Sequence, residues 1–175
     1  MVRAIAEILK AKGVIKFGEF ILTSGKKSDF YIDIKKVTTN PDVLNLIAEN
    51  MGEAIRKEKP LRIAGLAVGA IPIATAISLK TNIPMLIIRK EKKEHGMGRL
   101  IEGEINPGEK IIIIEDVSTT GGSIIEAVKI VRDLGGIVEK AFVVVDRLEG
   151  AAENLKFHGI ELVPLITVRD LGVKK

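Results

Sequence analysis

The sequence predicts an α/β protein built on a mostly parallel central sheet flanked by helices. Two observations carry that expectation. From Leu61 onward, apolar runs alternate with segments of helical periodicity. The runs are also apolar at nearly every position, as in "KIIIIED", and not at every second one. Continuous apolar strands suit a parallel sheet covered on both faces, and ligands of such sheets bind beyond the C-terminal ends of the strands.

The elements can be justified in order. "VRAIAEILKAKG" places Ile5, Ile8 and Leu9 on one helical face and stops at Gly13. "VIKFGEFILTSGKKSDFYIDIKK" alternates about a Ser24–Gly25 turn and reads as two or three short strands. "NPDVLNLIAENMGEAIRK" opens a helix, with Asn40 as N-cap, Pro41 at the first helical position and Asp42 in the first turn. Core strands are expected in "LRIAGLAVG", "PMLIIRK", "KIIIIED", "VEKAFVVVDR" and "IELVPLITV". Helices are expected in "AIPIATAISLK", "SIIEAVKIVRDLGG" and "EGAAENLKFHG". Ser123 and Glu126 have the spacing of a capping box, and Gly135–Gly136 is the stop of that helix. Between the second and third core strands lies "KEKKEHGMGRLIEGEINPGEK", long and charged, with Gly96 and Gly98 near its middle. Loops of that length are uncommon unless functional or disordered.

Composition narrows the class. The chain has 175 residues, 46 % of them hydrophobic, which fits a single domain over 1–175 with a real core. With no cysteine, neither a disulfide framework nor a thiolate metal site is possible. The longest uncharged run, Ile63 to Leu79, is broken by glycine and proline and reads as strand–turn–helix, not as a membrane span. The N-terminal helix is too charged for a signal peptide, so a cytoplasmic location without membrane partners is expected. The net charge of +4 suits a small anionic ligand as well as nucleic acid and decides nothing alone.

The chemistry concentrates in "IIIIEDVSTTGGS". The strand delivers Glu115 and Asp116 to the C-terminal edge of the sheet. The turn from Ser118 to Gly122 is small enough for backbone N–H groups to approach a ligand, and the next helix aims its positive end at the same place. Ser118, Thr119, Thr120 and Ser123 add hydroxyl donors. That combination is a cradle for a phosphate monoester. Two carboxylates beside a phosphate must face something neutral or cationic, and sugar hydroxyls or Mg²⁺ qualify. The object at the strand end is thus expected to be a ribose 5-phosphate. The stretch is not a Walker A loop, since no Gly-Lys-Ser/Thr follows, and no G-x-G-x-x-G fingerprint is present.

This stretch resembles the phosphoribosyl-pyrophosphate (PRPP) motif of type I phosphoribosyltransferases. "FGEFILTSGKKSDFYID" and "IRKEKKEHGMGRLIEG" resemble the N-terminal signature and the mobile loop of the orotate enzymes of that family. The resemblance implies the type I fold, with a helix and hood over about 1–38 and an α/β core over about 39–175. It implies transfer of phosphoribose from PRPP to orotate, giving orotidine 5′-phosphate and pyrophosphate in pyrimidine biosynthesis, with Mg²⁺ as cofactor. Glu115 and Asp116 would hold ribose hydroxyls, with Val117, Ser118, Thr119, Thr120, Gly121, Gly122 and Ser123 around the 5-phosphate. Arg147 would grip the orotate carboxylate, with Thr119 and Tyr31 at the base. Gly69 and Ala70 would lie against pyrophosphate, as would Arg89, Lys90, Lys93 and His95. Lys93, His95 and Asp116 are the implied catalytic residues. The metal would be held mainly through PRPP oxygens, with Asp116 reaching it through water. Phe17 and Phe20 are expected to form a small core under the hood. Where the family signature carries lysine before its Ser-Gly, this chain has Thr23, with Lys26 and Lys27 as nearby cations. A homodimer is implied, in which the 90–100 loop completes the neighbouring site. No nucleic-acid partner is expected.

Overall fold

The computed structural model describes residues 2–21, 25, 27–89 and 100–174. Helix α1 (Val2–Ala11) leads into a two-stranded antiparallel sheet of β1 (Ile15–Ile21) and β2 (Lys27–Ile32). This pair is separate from the central sheet and forms the hood. Its packing departs from expectation. Phe30 is buried, but Phe17 is 76 % exposed, so it does not form a core under the hood. Phe20 instead packs its ring near Tyr31, at 5.6 Å between centroids.

A short helix, α2 (Lys35–Thr38), precedes α3 (Pro41–Lys57). The Asn40 side chain accepts a hydrogen bond from the Val43 N–H at 3.1 Å, as the N-cap reading requires. The core then alternates: β3 (Arg62–Leu66), α4 (Ile71–Thr81), β4 (Met85–Ile88), β5 (Ile101–Glu102), β6 (Ile111–Ser118), α5 (Gly122–Asp133), β7 (Lys140–Asp146), α6 (Ala151–Phe157) and β8 (Glu161–Thr167). The sheet order is β5-β4-β3-β6-β7-β8, parallel except for β5, which pairs antiparallel with β4. The two-residue β5 was not foreseen. A pair of residues carries no readable periodicity, and its place on the sheet edge is set by β4.

The apolar strands are the core. Ile111, Ile112, Ile113 and Ile114 are all fully buried, which confirms that β6 is covered on both faces. Each such side chain contributes roughly 1.5–3 kcal/mol of burial. Among the described residues, no helix is long and apolar enough to cross a membrane.

Strand order matters more for the site than any single element. The chain moves outward from β3 to β4, then returns to lay β6 on the other side of β3. The connections after β3 and after β6 therefore leave in opposite directions, opening a crevice at the C-terminal edge between them.

At the opposite edge, Arg62 at the start of β3 grips Glu109 just before β6, with Nε 2.7 Å from Oε2. Arg62 chiefly, with the side-chain and backbone N–H groups of Asn106, holds the Glu109 carboxyl down to about 2, from 4.5. A lowered native pKa stabilises the fold above the unfolded value, and that stabilisation is lost as pH falls toward the native value. Glu109→Gln should therefore lower the melting temperature at pH 6, and the gap to wild type should close between about pH 4.5 and pH 2. Melting curves across that range check it, and a gap that stays constant refutes the linkage.

Candidate active site

The crevice is shaped by how β6 ends. Its register with β3 stops at Ile114 opposite Gly65, while pairing with β7 continues to Ser118. The β7 register runs through Glu115 and Val117 but omits Asp116. Strict alternation would send adjacent acids to opposite faces. Here the pleat relaxes, and Glu115 and Asp116 line one cleft of about 410 Å³. Glu115 accepts the Asp116 N–H at 3.0 Å, and Asp116 accepts the Val117 N–H at 2.9 Å. Each carboxylate is thus anchored to backbone at the strand end.

Across the cleft runs the turn after β3. The peptide between Ala67 and Val68 is cis, and Val68 is 73 % exposed. Gly69 lines the cleft. Ala70 is fully buried and donates its N–H to the Leu66 carbonyl at 3.1 Å, so of the two it is Gly69 that borders the cleft. Only glycine fits there. A Cβ on Gly69 would sit 2.2 Å from Asp116 Oδ2 and 2.6 Å from its Cγ.

The anion cradle follows β6. Thr119, Thr120, Gly121, Gly122 and Ser123 border a cavity of about 290 Å³ that adjoins the acids through Glu115. Gly121, at φ 83°, is the N-cap of α5, and no side chain caps that helix. The expected capping box is therefore absent. A left-handed glycine makes the turn, which puts Ser123 inside the helix and on the cleft wall. Asn154 of α6 donates to the Thr120 carbonyl at 2.9 Å and steadies the cradle from outside. Ser118 differs from its neighbours. It borders the same cavity but is 1 % exposed, and its hydroxyl donates to Asp146 Oδ1 at 2.7 Å.

Arg147 is no surface residue. It is 1 % exposed yet reaches the cleft. The guanidinium lies 4.2 Å over the Phe30 ring. Nη2 donates to Ser28 Oγ at 2.8 Å and to the Phe30 carbonyl at 3.4 Å, and Nε donates to Glu149 Oε1 at 3.1 Å. Nε and Nη2 are thus committed within the protein, and the planar cation is held in one orientation at the cleft wall.

The remaining candidates divide. Val117, Thr119, Tyr31 and Arg147 all meet the acid pair in the main cleft. Arg89 lies beside it, in a cavity of about 330 Å³ that shares Ser123, and is ion-paired with Glu102 at 3.3 Å. Thr23, Lys26, Lys90, Lys93, His95, Gly96 and Gly98 lie outside the described residues. Lys27 does not face the cleft; it borders a separate hollow with Glu19, Asp29 and Glu149. Among the described residues, Lys35 at the start of α2 also lines the cleft, which the sequence reading missed. So did it miss Ser28, Asp146, Glu149 and Asn154. A signal existed for Ser28: it stands two before Phe30 on β2, hence on the same strand face.

A parallel sheet whose switch point joins an acid pair, a hydroxyl-rich anion cradle and a buried arginine defines a binder of phosphorylated sugars. Comparison with known proteins makes this specific. The phosphoribosyl transferase domain model matches residues 33–163. An orotate phosphoribosyltransferase of Methanocaldococcus jannaschii is 54 % identical over 167 residues, covering 95 % of this chain and 94 % of that protein. The crystal structure of orotate phosphoribosyltransferase from Aeropyrum pernix superposes with a TM-score of 0.84 at 29 % identity, over 95 % of this chain and 96 % of that one. That of the Mycobacterium tuberculosis H37Rv enzyme in complex with PRPP gives 0.80 at 32 % identity, over 98 % and 99 %. The chain belongs to the phosphoribosyl transferase family, among the orotate phosphoribosyltransferases.

The contact between Gly69 and Asp116 yields a direct test. Alanine at 69 must displace the Asp116 carboxylate or the loop, and a misplacement of about 1 Å costs on the order of 100-fold in rate. Gly69→Ala should lose activity on that scale with little change in melting temperature. Wild-type turnover by the purified variant would remove Asp116 and its loop from the site.

Proposed function

We infer that the chain transfers phosphoribose from PRPP to orotate, giving orotidine 5′-phosphate and pyrophosphate in pyrimidine biosynthesis. The observation that carries this is the convergence of Asp116, Thr119, Ser123 and Arg147 on one cleft at the switch point of the sheet. Orotate N1 attacks C1 of the ribose with inversion. The N1–C1 bond forms as the C1–O bond to pyrophosphate breaks, both electrons leave with the oxygen, and the proton that N1 carried is released to solvent. The transition state resembles an oxocarbenium ion, so the protein positions, excludes water and stabilises charge without forming a covalent intermediate.

The residues take roles by chemistry and place. Thr119, Thr120, Gly121, Gly122 and Ser123 hold the 5-phosphate at the N-terminus of α5. Glu115 and Asp116 accept from the ribose hydroxyls. Gly69 lets pyrophosphate approach the turn after β3, and Arg89, Lys90, Lys93 and His95 supply its cations. Cations that arrive with a closing loop act on the charge that develops as the bond breaks. Arg147 binds the orotate carboxylate, with Tyr31 and Thr119 at the base.

Mg²⁺ belongs to the same assignment. Among the described residues, no three acidic or histidine side chains gather into a protein cage for a metal. Two carboxylates beside an anion cradle fit a Mg²⁺ that PRPP oxygens would hold for the most part, with Asp116 as the protein group that would help to retain it. When bound, the ion neutralises the leaving pyrophosphate. The cytoplasm is the proposed location, consistent with a chain that has no cysteine.

Loss of orotate absorbance in the presence of PRPP and Mg²⁺ is the direct assay. Orotate should be consumed in preference to uracil, hypoxanthine and adenine; a preference for another base reassigns the enzyme, and no turnover with any base turns it into a PRPP-binding regulator. Arg147→Ala should raise the KM for orotate far more than that for PRPP, since an unpartnered desolvated charge costs about 2–5 kcal/mol. An equal rise in both constants would assign Arg147 to structure.

The 90–100 loop is proposed to act across a two-fold dimer, which makes the exchange reciprocal. Mixing Asp116→Asn subunits with Lys93→Ala subunits should then restore roughly a quarter of wild-type activity, because about half the re-paired dimers carry one native site. No recovery, with subunit exchange shown independently, places the loop in its own chain's site.

A further inference from the structure

The mechanism leaves one buried acid unused. Asp146, the last residue of β7, is 3 % exposed and does not line the cleft. Its Oδ1 accepts two hydrogen bonds, from Ser118 Oγ at 2.7 Å and from the Leu148 N–H at 3.1 Å. Both donors are informative. Ser118 closes β6 and opens the phosphate cradle. Leu148 has φ 56°, a left-handed conformation that a branched, non-glycine residue adopts only when its surroundings hold it. The Asp146 carboxylate is one such hold, because it takes up the N–H of that residue. The turn at Leu148 brings Glu149 back onto the Arg147 guanidinium, 3.1 Å from Nε and 3.0 Å from Nη2. A backbone bond, Arg147 N–H to the Ser118 carbonyl at 3.0 Å, runs beside this chain of contacts.

We propose that Ser118 and Asp146 are positioning residues for base recognition: Ser118 Oγ fixes Asp146, Asp146 holds the left-handed turn at Leu148, and that turn sets Glu149 against Arg147. Ser118 sits in the phosphate loop, yet by this route its hydroxyl serves the base and not the phosphate. The assignment rests on Arg147 as the orotate ligand. It explains why, in a run of small hydroxyl residues, one member is fully buried and turned toward the neighbouring strand. It also explains an acid placed next to the substrate arginine without paying it a salt bridge: the Asp146 oxygen is committed to an O–H and a backbone N–H, and Glu149 supplies the countercharge.

The test is a split between Michaelis constants. Ser118→Ala and Asp146→Ala should each raise the KM for orotate about tenfold, the scale of one lost hydrogen bond to a charged group, and leave the KM for PRPP within about twofold. A purely structural role lowers the melting temperature without that split, and a phosphate-ligand role moves the PRPP constant first. Either result overturns the proposal. Asp146→Asn keeps an acceptor oxygen in place and should stay near wild type for orotate; damage equal to Asp146→Ala would assign the effect to charge and also overturn it. Should Asp146→Ala fail to fold, Ser118→Ala decides, since it removes one hydroxyl and leaves the Leu148 bond intact. Arg147→Ala is the control. If it does not raise the orotate constant selectively, the orotate assignment itself has failed; if it does and Ser118→Ala does not, only the brace has.

Discussion

Every ligand-facing group depends on the point where β3 and β6 stop being neighbours. They pair as far as Gly65 and Ile114, and no further. Beyond that, the chain after β3 turns at once into α4, whereas β6 runs on against β7 alone. An acid pair on a fully paired strand would be split between two faces and buried at a cost of several kcal/mol per charge. Past the divergence, the same two residues can share one face, satisfy part of their hydrogen bonding on the adjacent amides, and still meet solvent or substrate. The width of the opening is set by bare backbone: the Asp116 carboxylate occupies the space that a side chain at Gly69 would need.

The second constraint is electrostatic. A guanidinium as buried as Arg147 is tolerable only when its charge and its donors are answered. Glu149 answers the charge, while Ser28 and the Phe30 carbonyl take donors and the Phe30 ring covers one face. The cation is therefore oriented before substrate arrives, so little side-chain freedom remains to be lost on binding. The residues of the turn after β6, by contrast, are oriented by backbone, through the helix terminus and the strand end.

What the sequence made legible follows from what is local. The parallel sheet was readable because a strand buried on both faces is apolar throughout, as Ile111 to Ile114 are. The cradle was readable because acids, hydroxyls and glycines stand within thirteen consecutive residues, "IIIIEDVSTTGGS". The capping box at Ser123 failed because two patterns compete for the same turn, and the left-handed glycine at 121 won. Phe17 failed because burial on the hood is confined to β2, where its cross-strand partner Phe30 is covered, while Phe17 itself stays 76 % exposed. Lys35, Ser28 and Glu149 were invisible because their partners are distant in sequence, and nothing in a local window says that a strand of the hood will touch the end of β7.

That distance has a consequence for how the enzyme comes into being. Ser28 and Arg147 are separated by 119 positions, whereas the phosphate cradle spans a single strand–turn–helix. Loop-closure entropy must be met before a remote contact returns anything, so contacts of high sequence separation form late. The cradle, local to one strand–turn–helix, therefore forms before the contact between the hood and the end of β7. On the proposed roles of these residues, anion binding rests on local contacts and base discrimination on remote ones, and the hood lies largely outside the matched family domain at 33–163.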